Sequence, residues 1–484
     1  MEQSQLIELI RTLTQTEKEL IQQLASIPYF NQGKMKAFVP RLLDICMGHP
    51  WQEPQTILDK KTVFSSLFPD QEFVEGKLEK TMVEAHKIVK TALLIQQYLR
   101  EGNDFQLGFD FTKVARTKGM DVRYQHLLAR LQKSQSEFAF KNETFFDQQV
   151  KLENAIHESE CYHNQKKGDL NVPNLIQALE ANYHLKRYAI LNRYLLQLKT
   201  SKIEVPAVLL NQIEESKVPI RFLEESPVLK ASHAVFHLLK KERPEISDVR
   251  TLFELLILNE RNFDRESLQE FYTYLRNICT LVLSTDAENT VVESMLHELF
   301  KDNLERGYLH YEGKLHSSRY WAVSSIALRV KDYNWAITFI EKYKHDLIGE
   351  NESQDIYRLN MANYLFCLGR FSECLDWIPA TSPFVDYLLT GKRLEIKAYY
   401  ELKSDLLSFK LDTFKVFLSR TSPKLLSEVH NQNHQDFVNL LIQIHISLPG
   451  DQKRAEKVIS RIRDRKQAAE WRWLLEKAKA LKEK

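Results

Sequence analysis

The chain has 484 residues, 43% hydrophobic and 27% charged, with 67 Lys+Arg against 65 Asp+Glu for a net charge of +2. This is the composition of a folded globular protein, and the balance of charge gives no general attraction to nucleic acid or lipid. Only 13 Gly and 14 Pro occur and no two Gly lie closer than six residues, which excludes turn-rich all-β folds, Gly-x-Gly nucleotide loops, the P-loop and the Gly-x-Ser-x-Gly elbow.

Nearly every segment reads at helical period, so an all-α fold is expected. Residues 1–20 lack the basic start and apolar run of a secretory signal, and no uncharged stretch reaches the roughly 18 residues of a membrane span. A soluble, cytoplasmic protein without membrane contact follows as an expectation. Thr14-x-x-Glu17 and Thr16-x-x-Glu19 are overlapping capping-box patterns ahead of Leu20, Ile21 and Leu24. A second helix is expected over Met35–Met47, with a kink at Pro40, and a short one capped by Asp59. After Pro69-Asp70 a long helix to about Arg100 should bury Val74, Leu78, Ala85, Val89 and Ala92. Tyr124–Leu131 and Phe138–Glu160 then read as a long helical hairpin. The expected divisions are an N-terminal helical domain (1–110), a hairpin (111–170) and a repeat domain (171–484).

From Val172 shorter helices are expected, with Ser226-Pro227, Ser382-Pro383 and Ser422-Pro423 as start signals. Ala327-Leu-Arg-Val-Lys-Asp-Tyr-Asn-Trp-Ala336 matches Leu365-Phe-Cys-Leu-Gly-Arg-Phe-Ser-Glu-Cys374 in pattern at an offset of 38, and a weaker copy lies near Ala398-Tyr-Tyr-Glu-Leu402, 36 residues after Ala362. Such periods, with a small residue on each of two packed helices, characterise helix-pair stacks.

Residues 317–419 thus resemble tetratricopeptide repeats in degenerate form. The family's small positions match Ser324 and Ala362 in the first helix and Ala336 and Cys374 in the second, and its aromatic matches Tyr333 and Phe371. Arg358 stands where an aromatic is usual. The resemblance implies a right-handed superhelix whose inner surface is formed by the first helices. Counting from the small positions puts Ser318, Trp321, Ser325 and Leu328 there, then Ile356, Leu359, Asn363 and Phe366, then Lys392, Glu395 and Tyr399. Leu359 precedes Asn363 where a carboxylate clamp wants Lys, so a clamp for peptide C-termini is not expected. The whole chain also resembles a group of helical-repeat proteins from Bacteroidota, on Ser26-Ile-Pro-Tyr-Phe-Asn31, Phe64-Ser-Ser-Leu-Phe-Pro-Asp70, Ala336-Ile-Thr-Phe-Ile-Glu-Lys-Tyr343 and Lys397-Ala-Tyr-Tyr-Glu-Leu402. That resemblance brings no function with it.

Candidate chemistry is sparse. His233 and His237 share a helix face, but Ala234 replaces the Glu that a zincin needs. Cys367 and Cys374 flank Gly369 and read as packing residues, and none of the five Cys forms a Cys-x-x-Cys pair. Residues 451–484 carry 12 Lys+Arg and six Asp+Glu, and read as a basic capping helix. Its Arg461, Arg463, Arg465 and Lys466 are the positions to test for contact with nucleic acid or an acidic partner. The N-terminal pair of a short and a long helix has a helix-turn-helix outline, yet residues 71–90 hold four Lys, four Glu and no Arg. The expectation is therefore a non-catalytic scaffold or adaptor for another protein or peptide, without cofactor or metal. A DNA-binding regulator ranks second and an enzyme third. The groove residues expected to touch the partner are Trp321, Ser325, Leu328, Leu359, Asn363, Phe366, Lys392 and Tyr399.

Overall fold

The computed structural model describes residues 4–50, 58–74, 76–100, 102–163, 168–201, 213, 218–285, 289–311, 313–380, 382, 384–422, 425, 426, 428–447, 450–465 and 468–482. Among these residues are 23 α-helices and two strands of two residues each, so the fold is all-α. Two compact units form, Met1–Lys186 and Arg187–Lys484. No helix among the described residues is long and apolar enough to cross a membrane.

The first unit opens with α1 (Gln5–Thr12), α2 (Gln15–Ser26), α3 (Val39–Met47), α4 (Lys60–Leu67) and α5 (Lys77–Leu99). The Thr14 capping box forms as expected: Thr14 Oγ1 accepts the Glu17 N–H at 3.3 Å, and the Glu17 carboxylate accepts the Thr14 N–H at 2.7 Å. Asp59 accepts the Thr62 N–H at 3.0 Å and caps α4. Pro40 sits in the first turn of α3, where its missing N–H costs nothing, so it starts the helix and does not kink it. The long helix begins at Lys77, after Gly76 at a φ of 91°. Val74 consequently lies outside it and is 55% exposed, and the buried face is Leu78, Met82, Ala85, Val89 and Ala92, packed against α1, α2 and α3. Residues 68–76 separate α4 from α5, well beyond the roughly three-to-four-residue turn of a helix-turn-helix.

Helices α6 (Asp104–Thr117), α7 (Asp121–Ser136) and α8 (Glu143–His163) pack in succession, and α7 and α8 cover the two segments read as a helical hairpin. Phe138 precedes α8, because Asn142 Oδ1 accepts the Phe145 N–H at 3.0 Å and fixes the start there. Helix α9 (Val172–Ser201) follows, and at 30 residues it contradicts the expected shortening of helices from Val172. Pro173 lies in its first turn and no Gly or further Pro interrupts it.

The second unit continues through α10 (Ile220–Glu225), α11 (Pro227–Lys240), α12 (Ile246–Leu258), α13 (Arg265–Thr285) and α14 (Thr290–Glu305). Ser226 Oγ accepts the Leu229 N–H at 3.2 Å with Pro227 opening α11, as expected. A hairpin of β1 (His310–Tyr311) and β2 (Lys314–Leu315) comes next, turned at Gly313 with φ 78° and not anticipated from periodicity. Then follow α15 (Ser317–Arg329), α16 (Tyr333–Tyr343), α17 (Glu350–Cys367), α18 (Phe371–Trp377), α19 (Val385–Glu401), α20 (Leu407–Arg420), α21 (Glu428–His445), α22 (Gln452–Asp464) and α23 (Trp471–Ala480). Helices α19 and α21 begin at Val385 and Glu428, so neither Ser382 nor Ser422 caps them; Pro383 and Pro423 lie outside the described residues. The basic C-terminal segment is two helices, not one. The first ends at Asp464, and Glu470, in left-handed backbone at φ 56°, directly precedes the second, which packs on the first.

Each helix of this stretch meets the next, and α15 also meets α17, as α17 meets α19. One turn recurs. After α15, α17 and α19 the residues Lys331, Gly369 and Lys403 have φ of 62°, 77° and 52°. In each the following N–H reaches back to a carbonyl five residues earlier: Asp332 to Ala327 at 2.9 Å, Arg370 to Leu365 and Ser404 to Tyr399 at 3.0 Å. These are Schellman caps, in which positive φ lets the chain reverse while satisfying the last carbonyls. Their spacing is 38 residues and then 34. Arg358, the departure from the aromatic pattern, has a job equivalent to that of Tyr320. Tyr320 Oη donates to Ile340 O at 2.7 Å at the end of α16, and Arg358 donates to Asp376 O at 3.0 Å and Trp377 O at 3.3 Å at the end of α18.

The two lysines carry a left-handed strain that Gly369 avoids. Lys331→Gly and Lys403→Gly are each expected to raise stability by about 0.5–1 kcal/mol, and Gly369→Ala to lower it by about 1 kcal/mol. Nothing lies within 4 Å of a Cβ at Gly369, so the change there is backbone strain alone. Urea unfolding of the three variants checks the opposite signs.

Candidate binding site

Two cavities open on the helices α15, α17 and α19. The larger, of about 620 Å³, is lined by Trp321 and Leu359 together with Ile356, Phe384 and Thr390. The smaller, of about 420 Å³, is lined by Trp321, Ser325, Leu328 and Asn363, and by Thr390, Leu394 and Lys397. Five of the eight expected groove residues therefore border these two spaces: Trp321, Ser325, Leu328, Leu359 and Asn363. Phe366 is used in packing: its ring lies 5.2 Å from Phe371 and under Lys397 Nζ at 4.5 Å. Lys392 and Tyr399 turn to α20, with Lys392 Nζ 5.0 Å over Phe417 and Lys410 Nζ 5.4 Å over Tyr399. The reason is register. The offset of 36 at Ala398 points to Lys392 and Tyr399, whereas the turns at Gly369 and Lys403 lie 34 residues apart and the α19 residues that line the cavity include Thr390 and Lys397.

The fourth wall of the smaller cavity comes from the start of α23, with Glu470, Trp471, Arg472 and Trp473. Two ion clusters fix it. Glu470 accepts Lys397 Nζ at 2.8 Å and Arg393 Nε at 3.1 Å. Burial opposes the Glu470 charge, yet the two cations and their hydrogen bonds prevail and hold its carboxyl down to about 2. Glu293, whose side chain is only 6% exposed, accepts Arg472 Nη1 at 2.6 Å and also Arg329 Nη2. Burial, and then the adjoining Arg472 charge, push the Arg329 guanidinium below its ordinary value, with Glu293 pulling the other way. Lys477 Nζ at 2.7 Å and Trp473 Nε1 at 2.9 Å both bond Glu401, joining α23 to α19.

The basic residues singled out in the sequence lie elsewhere. Arg461 donates to Gln443 at 2.7 Å and Arg465 to Asp436 at 2.7 Å, so both are held against α21. Arg463 is exposed, and Lys466 lies outside the described residues. His233 and His237 meet through their Nε2 atoms at 2.9 Å, and burial, then the His237 charge, push His233 down to about 4. Among the described residues no three His, Cys, Asp or Glu side chains gather as metal ligands. Cys367 is pushed up and Cys374 is pushed to about 12, in both cases by burial, which is the behaviour of packing residues.

Periodicity could not have found Glu470, Arg472 or Glu293, since they meet the groove helices across long stretches of chain. The chain matches no protein-family model, no curated protein and no solved structure.

Proposed function

We infer that the chain is a non-catalytic scaffold that holds another protein in a tetratricopeptide-like groove of its second unit. The observation that carries this reading is the recurrence of one turn after α15, α17 and α19, with Trp321, Ser325, Leu359, Asn363 and Lys397 bordering the spaces on those helices. Aromatic anchors beside a few polar groups are the usual currency of peptide recognition. The groups in these spaces form ion pairs and packing contacts, and none has the nucleophile–base–orienter geometry of an acyl-transfer or hydrolytic site.

Affinity capture from a lysate of the producing organism, with mass spectrometry, tests the reading when wild type is run beside Asn363→Arg and Ser325→Arg. The expected result is a reproducible protein partner whose recovery drops about tenfold when Arg fills the groove. A partner set identical for wild type and both variants, or no reproducible partner at all, overturns it.

A further inference from the structure

Two imidazoles meet on α11 more closely than helical spacing alone requires. His233 and His237 stand one turn apart on one face, and their Nε2 atoms approach to 2.9 Å. Packing holds both rings in place. The His233 ring lies edge-on to Tyr188 at 5.4 Å, and the His237 ring edge-on to Phe236 at 5.4 Å. Tyr188 is fully buried in α9, and Asn192 of the same helix donates to Ser232 O at 2.8 Å, so the seat of the His233 ring belongs to the core. The nitrogens themselves meet at the surface, with His237 exposed and His233 half-buried.

Both rings are neutral at pH 7. Burial, then the His237 charge, hold His233 at about 4, and burial, then the Lys240 charge, hold His237 below its ordinary value. One Nε2–H therefore donates to the other Nε2. When a metal takes their place between the rings, the donating ring moves its proton to Nδ1, so both Nε2 lone pairs face the ion and no proton is lost. The spacing selects the ion. Metal–imidazole bonds of roughly 2.0–2.1 Å span about 2.9 Å at a right angle and about 3.3 Å at a tetrahedral one. Right angles suit tetragonal Cu²⁺ and Ni²⁺, and affinity for nitrogen ligands peaks at Cu²⁺ among the divalent ions. Hard Ca²⁺ and Mg²⁺ want oxygen ligands, and the Lys240 charge opposes them.

We propose that His233 and His237 form a surface site for a divalent late transition-metal ion, Cu²⁺ ahead of the others, gripped through both Nε2 atoms. Among the described residues no third His, Cys, Asp or Glu joins them, so water completes the coordination. Ala234 stands where a zincin carries its base, so the site binds metal without a hydrolytic carboxylate beside it. It lies on α11, away from the cavities of α15, α17 and α19, and does not depend on the scaffold reading.

The test titrates the full chain at pH 7 with copper(II) sulfate and, separately, zinc sulfate, with glycine present as a weak competing chelator. Calorimetry reads affinity and stoichiometry, and electron paramagnetic resonance of the copper complex counts the coordinated nitrogens. One equivalent of Cu²⁺ per chain is expected to bind, with coupling to two imidazole nitrogens and about tenfold or more tighter than Zn²⁺. His237→Gln turns the chelate into a single bond and is expected to weaken Cu²⁺ by about tenfold or more, leaving one imidazole nitrogen in the spectrum. Absence of a saturable equivalent, Zn²⁺ binding as tight as Cu²⁺, a wild-type spectrum with fewer than two imidazole nitrogens, or undiminished Cu²⁺ affinity in folded His237→Gln each overturns the proposal. The first three outcomes are read on wild type, so a variant that fails to fold does not leave the question open.

Discussion

Glu470→Gln lowers the stability of the second unit by about 3 kcal/mol at neutral pH, because it strands two cations that share one carboxylate. The side chains of Arg393 and Lys397 are 15% and 10% exposed, so water does little to replace the lost charge. Gln keeps the size and the hydrogen-bonding reach of Glu, which restricts the effect to electrostatics. The left-handed backbone at residue 470 is unchanged by the substitution as well. Because burial and the two cations together leave the folded carboxyl at about 2, below its ordinary 4.5, the contribution is present in full above pH 4.5 and is lost as pH falls toward 2. Urea titrations followed by tryptophan fluorescence report on this unit well, since five of the six Trp lie within it. A loss below about 1 kcal/mol would mean that the cluster is solvated like a surface pair.

A second large effect comes from His434, buried in α21 with its Nδ1 3.4 Å from Arg393 Nη1 and its ring edge-on to Phe414. Burial first, then the Arg393 charge, push its pKa from 6.5 down to about 4. The folded state therefore binds fewer protons than the unfolded chain between these values, so stability is complete above pH 6.5 and falls as pH drops through 6.5 toward 4. The share owed to His434 is about 3 kcal/mol across that window. His434→Gln removes the titration, and its stability is expected to change far less than that of wild type between pH 7 and pH 4.5. Denaturant midpoints at a series of pH values measure the difference; parallel curves for the two proteins would refute the assignment. His233 titrates in the same direction, so some slope persists in the variant.

The helices themselves were legible because helical period and cap residues are local. Thr14 with Glu17, Asp59 and Ser226 each mark a start that forms as read. Local signals failed where the backbone departs from its usual preferences. Glu470 and Lys403 adopt left-handed backbone that a Glu or Lys does not advertise, so neither the start of α23 nor the 34-residue interval from Gly369 to Lys403 carries a local mark. The residues of α15 and α17 that border the cavities are legible because Gly369 marks one turn and the small residues mark the other contacts. Helix α19 has no such mark, and there Thr390 and Lys397, two residues before Lys392 and Tyr399, line the smaller cavity. The second half of the cavity was beyond any local pattern, since what places Arg472 is a carboxylate in α14.

That ion pair, Arg472 with Glu293, joins residues 179 positions apart. A row of helices that touch only their neighbours can fray from either end, each pair melting almost independently. A bond from α23 back to α14 couples the two ends of the row from α14 to α23, so the helices between them gain a reason to melt together. The same bond is entropically slow to close, because the intervening helices must be in place before its ends can meet. Cooperativity on unfolding and a late step on folding are thus two consequences of one salt bridge.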